Sequence, residues 1–227
     1  MKFEVLPAVG MVIGYAAIFL GAELLTRRFR IDGEYARKIT HVAGGLFGLL
    51  LAIMFDGWFT VAILGLGFAI FLLYSQEHGL IRSIHGVSRV TAGEVYFPLG
   101  MGTLFFLCTV TGSRELWAPA LLALTLGDTA AWYVGSRFAR RQVRVFGDSK
   151  SLAGSIAIGI VTSVISLLFL STSTIPDINA GVIVLSTLGG LGVACAEALS
   201  PRGLDNLTIP LVLWGILYGA GEIVLRY

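Results

Sequence analysis

Charge is scarce in this sequence. Asp, Glu, Lys and Arg make up 13% of its 227 residues, against 56% that are apolar. Intrinsic disorder requires the opposite balance, low hydrophobicity with high charge, and is excluded. A soluble domain of this size requires more polar surface than these residues supply. Cysteine is scarcer still. Cys108 and Cys195 both lie inside apolar runs, so no disulfide framework is expected. The three histidines are scattered and form no zinc pattern with them.

What is present is apolar and small. Mean hydropathy is +0.85, and the 29 glycines are nearly double the usual share of roughly 7%. The class that remains is an all-α, polytopic transmembrane helix bundle. A spanning helix takes about 20 apolar residues, so about eight spans would fill roughly 160 positions and leave only short loops. Residues 1–227 are expected to form a single integral membrane domain. Any chemistry must then sit on short loops and helix ends. No nucleic-acid partner is expected, and the oligomeric state is not legible.

Apolar runs predict spans near 5–26, 40–56, 58–74, 94–112, 116–135, 151–172, 179–199 and 207–225. The second is short, and only the Asp56-Gly57 turn joins it to the third. Thirteen of the sixteen basic residues fall on connections 27–39, 75–93, 136–150 and 200–206. The positive-inside rule places that face in the cytoplasm and both termini on the outer face. Arg27, Arg28 and Arg30 follow the first apolar run rather than precede it, so that span is expected to be uncleaved. Trp58 and Trp117 begin spans on the outer face, where interfacial aromatics belong. Gly10–Gly14, Gly44–Gly48 and Gly215–Gly219 have a spacing that permits close helix contact. In a glycine-rich chain this spacing carries no functional weight.

An ionisable residue at membrane depth costs about 2.5–3.5 kcal/mol on insertion scales, which makes it a functional candidate. Glu94, Asp128 and Glu197 qualify. Glu23 is weaker, because Arg27 stands one turn on and pairs with it. Asp128 follows Gly127, which admits a close backbone or ligand. Glu197 precedes a short loop holding Asp205 and Asn206, either of which can cap the eighth helix ahead of Pro210. A structural ion pair with a neighbouring arginine remains an alternative role for Asp128. These carboxylates are hard oxygen ligands on one face, which suits Mg²⁺ with phosphate oxygens completing its shell.

Two basic segments face the same side. Residues 136–155 form a basic loop running into a small-residue helix start, with Lys150, Ser151, Gly154 and Ser155 expected on the first turns of the sixth helix. Free N–H groups, a lysine and hydroxyls there suit phosphate. GxxxxGK[ST] is absent, so this is no Walker A loop. Lipid-headgroup contact accounts well for Arg140, Arg141 and Arg144, and less well for the Lys-Ser-Leu-Ala-Gly-Ser run. The second segment enters the second span. Arg37 and His41 are i,i+4 and Lys38 and His41 are i,i+3, so they share a helical face. The two bases suit phosphate, and His41 suits orientation or proton relay, a structural role being the alternative.

In order along the chain these segments resemble the dolichol kinase/phytol kinase family of CTP-dependent polyprenol and lipid kinases. The matching pieces are Arg37-Lys38-x-x-His41 with Gly44-Gly45; Gly93-Glu94-Val95-Tyr96-Phe97-Pro98-Leu99; Gly127-Asp128-x-Ala130-Ala131 through Gly135; Lys150-Ser151-Leu152-Ala153-Gly154-Ser155; and Glu197 followed by Asp205-Asn206-Leu207-Thr208-Ile209-Pro210. They run from residue 37 to residue 210. The related phosphatidate cytidylyltransferases share the Gly-Asp and the Lys-Ser start, but usually finish with a Pro-Gly-His-Gly-Gly stretch that this chain lacks. Gly135-Ser136-Arg137-Phe138-Ala139 also departs from the family's Gly-Arg-x-Phe-Gly.

The resemblance implies transfer of the γ-phosphate of a nucleoside triphosphate, CTP, to the hydroxyl of a membrane lipid alcohol such as phytol, geranylgeraniol or a dolichol. Arg37, Lys38, His41, Asp128 and Glu197 are then the expected catalytic group. Lys150, Ser151, Gly154, Ser155, Arg137, Arg141 and Asn206 are expected to bind nucleotide. Glu94 and Tyr96 are expected to meet the alcohol, and Asp128 with Asp205 to hold Mg²⁺. A cytidylyltransferase acting on phosphatidate is the alternative, and an ion-coupled transporter using Asp128 and Glu197 is a second one.

Overall fold

The computed structural model describes residues 3–79, 92–138, 142–145, 148–173 and 179–224. It is a bundle of helices: α1 (Val5–Phe29), α2 (Gly33–Gly48), a short α3 (Leu51–Met54), α4 (Trp58–His78), α5 (Gly93–Val110), α6 (Trp117–Leu122), α7 (Asp128–Arg137), α8 (Leu152–Ser173), α9 (Ala180–Leu199) and α10 (Asp205–Val224). Among the described residues, six helical stretches are long and apolar enough to cross a membrane, with α2 and α3 together forming Gly33–Met54. The expected fifth span is helical but divided, because a π-turn at Ala123–Gly127 separates α6 from α7. The expected eighth is α10.

Three local features differ from the sequence expectation. Helix α2 starts at Gly33, seven residues before the apolar run, because Asp32 caps it by accepting from the Glu34 N–H at 2.9 Å. Arg37, Lys38 and His41 therefore all stand on one helix. Second, Gln142–Val145 and Asp148–Ser151 pair as an antiparallel hairpin, β1 and β2, with Val143 opposite Lys150. Lys150 and Ser151 thus lie on a strand leading into α8, not on its first turns. Gly154 and Ser155 are in the first turn as expected. Third, Asp205 and Asn206 begin α10 rather than forming a loop before it.

Packing explains several glycines. A Cβ on Gly45 would lie 2.1 Å from Thr125 Oγ1, so α2 presses directly on the π-turn. One on Gly14 would meet the Phe47 ring at 2.1 Å, while Gly215 and Gly219 face open space. Helices α8, α9 and α10 pack in sequence, and α10 returns to α5. One core gathers Met11, Leu51, Phe55, Val61, Leu104, Phe105 and Trp117; the other gathers Leu124, Ile158, Val182, Leu185, Ile209 and Leu213. Trp117 is buried edge-on against Phe105, with ring centroids 5.4 Å apart. Trp117 begins α6, and its ring fills the protein core. Cys108 and Cys195 are both free.

Candidate active site

The costly charges converge where α2, α7, α9 and α10 meet the hairpin. The Lys38 ammonium hydrogen-bonds Asp128 Oδ2, with Lys38 buried. His41 Nε2 sits 3.6 Å from the same oxygen and 3.4 Å from the Leu124 carbonyl. At 3.6 Å the His–Asp contact is electrostatic rather than a hydrogen bond. The Phe97 ring packs on the imidazole, with centroids 4.9 Å apart. Asp128 is the first residue after the π-turn, and its backbone N–H bonds the Leu124 carbonyl. Isolated π-turns recur at functional sites because the extra residue re-aims the side chain that follows.

A second cluster stands beside the first. Strand β2 carries Lys150 between Glu197 and Asp205: Nζ donates to Glu197 Oε1 at 3.0 Å and to Asp205 Oδ2 at 2.8 Å. The other Glu197 oxygen accepts from Ser155 Oγ at 2.6 Å. Burial acts to lower the Lys150 pKa, but Asp205 and Glu197 outweigh it and hold the ammonium above the ordinary lysine range. The two clusters are not independent, since the charges of Asp128 and Lys38 both act on Asp205.

Gly93 and Asn206 meet at a third point, beside Glu94. A Cβ on Gly93 would lie 2.8 Å from Asn206 Nδ2, and one on Gly100 would lie 2.5 Å from the Asn206 carbonyl. Gly203, at φ +87°, would meet Gly93 at 2.4 Å. These glycines let the start of α10 lie against α5 without side chains between them. Pro98 and Pro210 each stand four residues after a polar residue of the site, Glu94 and Asn206 respectively. Proline has no N–H, so neither residue's carbonyl receives its usual helical partner. That shared spacing was visible in the sequence and marks both helix starts. A small chamber of about 60 Å³ is lined here by Arg37, Thr40, His41, Glu94, Phe97 and Asn206, among others.

Most of the expected residues come together, though through contacts the sequence did not assign. Arg37 reaches Glu34 at 2.8 Å while lining the chamber, and its charge acts on Glu94. Gly154 lets α8 approach α7, because a Cβ there would lie 2.8 Å from the Ala131 carbonyl. Ser151 Oγ and Asn206 Oδ1 are buried and meet no hydrogen-bond partner among the described residues. Tyr96 does not line the chamber; Phe97, one residue on, does. Arg137 is exposed and lies over the Tyr133 ring, 4.5 Å from its centroid. Arg141 falls outside the described residues, as does Arg140, and so do the side-chain contacts of Arg144. Leu124 and Thr125 of the π-turn were not anticipated, and no residue pattern signals the turn.

Comparison with other proteins decides the family. A phytol kinase from Synechocystis sp. is 32% identical over 208 residues, covering 90% of this chain and 87% of the relative. The chain belongs to the dolichol kinase/phytol kinase family. No protein-family model matches it, and no solved structure does. The segments through which the sequence resembles the dolichol kinase/phytol kinase family are the ones that supply Lys38, His41, Glu94, Asp128, Lys150, Glu197, Asp205 and Asn206 to this region.

Proposed function

We propose that this protein is an isoprenoid-alcohol kinase that transfers the γ-phosphoryl group of CTP to the hydroxyl of a membrane-held alcohol. The observation that carries the reading is the pair of adjoining lysine–carboxylate clusters, Lys38–Asp128 and Lys150–Asp205–Glu197, beside a chamber holding His41 and Glu94. The substrate class follows from the phytol kinase relative, and CTP from the family resemblance. The positive-inside rule, applied to the basic connections, supports a site on the cytoplasmic face.

Phosphoryl transfer is mostly positioning and charge neutralisation. Lys38 and Lys150 supply two fixed cations, each held by a carboxylate that phosphate oxygens would displace or share. Arg37 adds a third charge at the chamber. The alcohol oxygen attacks the γ-phosphorus, the bond to the bridging oxygen breaks, and CDP leaves. The hydroxyl proton passes to a group lining the chamber, where His41 and Glu94 are the titratable acceptors. Ser151 Oγ, which meets no hydrogen-bond partner among the described residues, suits a phosphate oxygen.

Among the described residues no three His, Cys, Asp or Glu side chains are grouped to hold a metal by themselves. Mg²⁺ does not require such a cage; it takes one or two carboxylates and leaves the rest of its shell to phosphate and water. Asp128 and Asp205 fit that demand, and Asn206 Oδ1 is a buried oxygen acceptor that suits a cation. When bound, Mg²⁺ would neutralise charge on the transferring phosphate.

The test uses purified protein in lipid nanodiscs with γ-labelled CTP or ATP, Mg²⁺ and a panel of phytol, geranylgeraniol, dolichol and diacylglycerol. Label is expected on an isoprenoid alcohol. Formation of CMP-lipid from phosphatidate, with no alcohol labelled, would move the protein to the cytidylyltransferases.

A further inference from the structure

A cavity of about 710 Å³ lies outside the charged site. Helix α1 packs chiefly on α2, and α4 packs on α5, while α1 and α4 touch little. A cleft is left between α1 and α4. Its lining is aliphatic and aromatic, except that Glu23 stands at one end and pairs with Arg27. Tyr15 also lines it, with its hydroxyl donated to the Gly44 carbonyl at 3.0 Å.

The cleft adjoins the small chamber. Tyr15, Phe19, Phe68 and Phe97 line both spaces. An apolar groove therefore runs up to the point where Arg37, His41, Glu94 and Asn206 begin. An amphiphile with a hydroxyl head and a hydrocarbon tail matches that division of polarity; a soluble metabolite or an ion does not. We propose that the cleft between α1 and α4 binds the hydrocarbon tail of the alcohol substrate, with the hydroxyl in the chamber beside His41 and Glu94. This rests on the kinase reading above.

The dimensions sharpen the proposal. From Glu94 to Gly102, the last residue of α5 on the lining, the helix rises about 12 Å. Met11, Leu51 and Val61, all buried, close the far end. An extended chain covers roughly 1.1–1.2 Å per bond, since a residue's three backbone bonds reach at most about 3.3–3.6 Å. The groove thus holds about ten bonds, the first two to three isoprene units. A longer tail leaves sideways between α1 and α4 into the bilayer. The site reads the branched head end of the alcohol rather than its total length.

Gly67 gives a clean probe. It lines the cleft, and a Cβ there meets nothing within 4 Å, so a larger side chain enters the groove without disturbing helix packing. Ala16 on the facing helix gives a second. Gly67→Phe and Ala16→Leu are compared with wild type on geranylgeraniol and on prenol, whose single isoprene unit reaches only the chamber and the adjoining end of the cleft. We expect kcat/KM for geranylgeraniol to fall at least tenfold, with prenol turnover kept within twofold. Equal loss on both alcohols, or no loss on either, overturns the tail site. A farnesol analogue with a diazirine on its second isoprene unit reads binding without turnover. Adducts are expected on α1 and α4 around Met11–Phe19 and Gly65–Phe71; adducts on α8 and α9 instead overturn the proposal. Cleft adducts with no alcohol phosphorylated by wild type leave the tail site standing and refute the kinase reading.

Discussion

Replacing Lys150 with methionine isolates the electrostatic core of the site. Methionine keeps the length and apolar stem but removes the cation from between Glu197 and Asp205. Lys150 Nζ makes two charged hydrogen bonds, at 3.0 and 2.8 Å, to carboxylates whose side chains are 8% and 13% exposed. Charged hydrogen bonds contribute about 1.5–3 kcal/mol each. Removing one partner of a buried ion pair costs about 3–5 kcal/mol, because the remaining charge is left uncompensated. Lys150 keeps 18% exposure, so the lower end, about 3 kcal/mol, is expected. On the scale of domains this size that corresponds to about 6–12 °C in Tm, read by thermal unfolding in nanodiscs. Adding Asp205→Asn to Lys150→Met removes one of the two stranded charges and should recover much of the lost stability without restoring activity. Lys150→Arg keeps the charge and should unfold near wild type. If Lys150→Met unfolds within 1 °C of wild type, or Asp205→Asn deepens the loss instead of relieving it, the account of this cluster is wrong.

Other expectations are independent of that one. Lys150 has a raised pKa, so its stabilising contribution is fully present below the unfolded value and is lost only as pH rises through the folded one, above 10.5. The Tm difference between wild type and Lys150→Met should therefore stay constant from neutral pH to about pH 10; a difference that shrinks across that window would contradict the pairing. Gly203→Ala forces a side chain into a left-handed conformation and towards Gly93, so about 1–3 kcal/mol of backbone strain is expected before the steric contact is counted. The same change should lower activity by shifting α5 away from Asn206, and wild-type turnover in a destabilised Gly203→Ala would show that this contact does not position the site. Gly45→Ala pushes α2 off the π-turn at Thr125, and overpacking of this kind costs about 1–3 kcal/mol. Unfolding midpoints measure it, and an unchanged midpoint would mean that α2 does not press on the turn.

The helices were legible because a membrane span is a long apolar run, and the run alone requires no partner. Their starts were less legible. Asp32-Gly33-Glu34 and Asp205-Asn206 are polar, so hydropathy assigns them to loops although they open α2 and α10. The hairpin was hidden for the same reason: Gln142–Ser151 is a basic stretch that reads as a connection. Asp128, Glu197 and Glu94 were legible because a carboxylate at membrane depth is costly. Which base meets which acid was not legible. Lys38 and Asp128 are 90 residues apart in sequence, and Lys150 and Asp205 are 55 apart, so only tertiary packing pairs them. The π-turn left no signature, since an extra residue in a helix changes register rather than composition.

In the proposed function, two adjoining lysine–carboxylate clusters carry phosphoryl transfer to an alcohol. Product balance in wild type and Asp128→Asn tests it most directly. Asp128→Asn keeps the size of the side chain while removing the charge that faces Lys38 and His41. Wild type is expected to form one CDP and one alkyl monophosphate for each CTP consumed. Asp128→Asn, still folded, is expected to lose about 100-fold or more in kcat, the scale of removing one preorganised electrostatic group. Wild-type turnover in Asp128→Asn, or CTP consumed without alkyl monophosphate appearing, would contradict the proposed function.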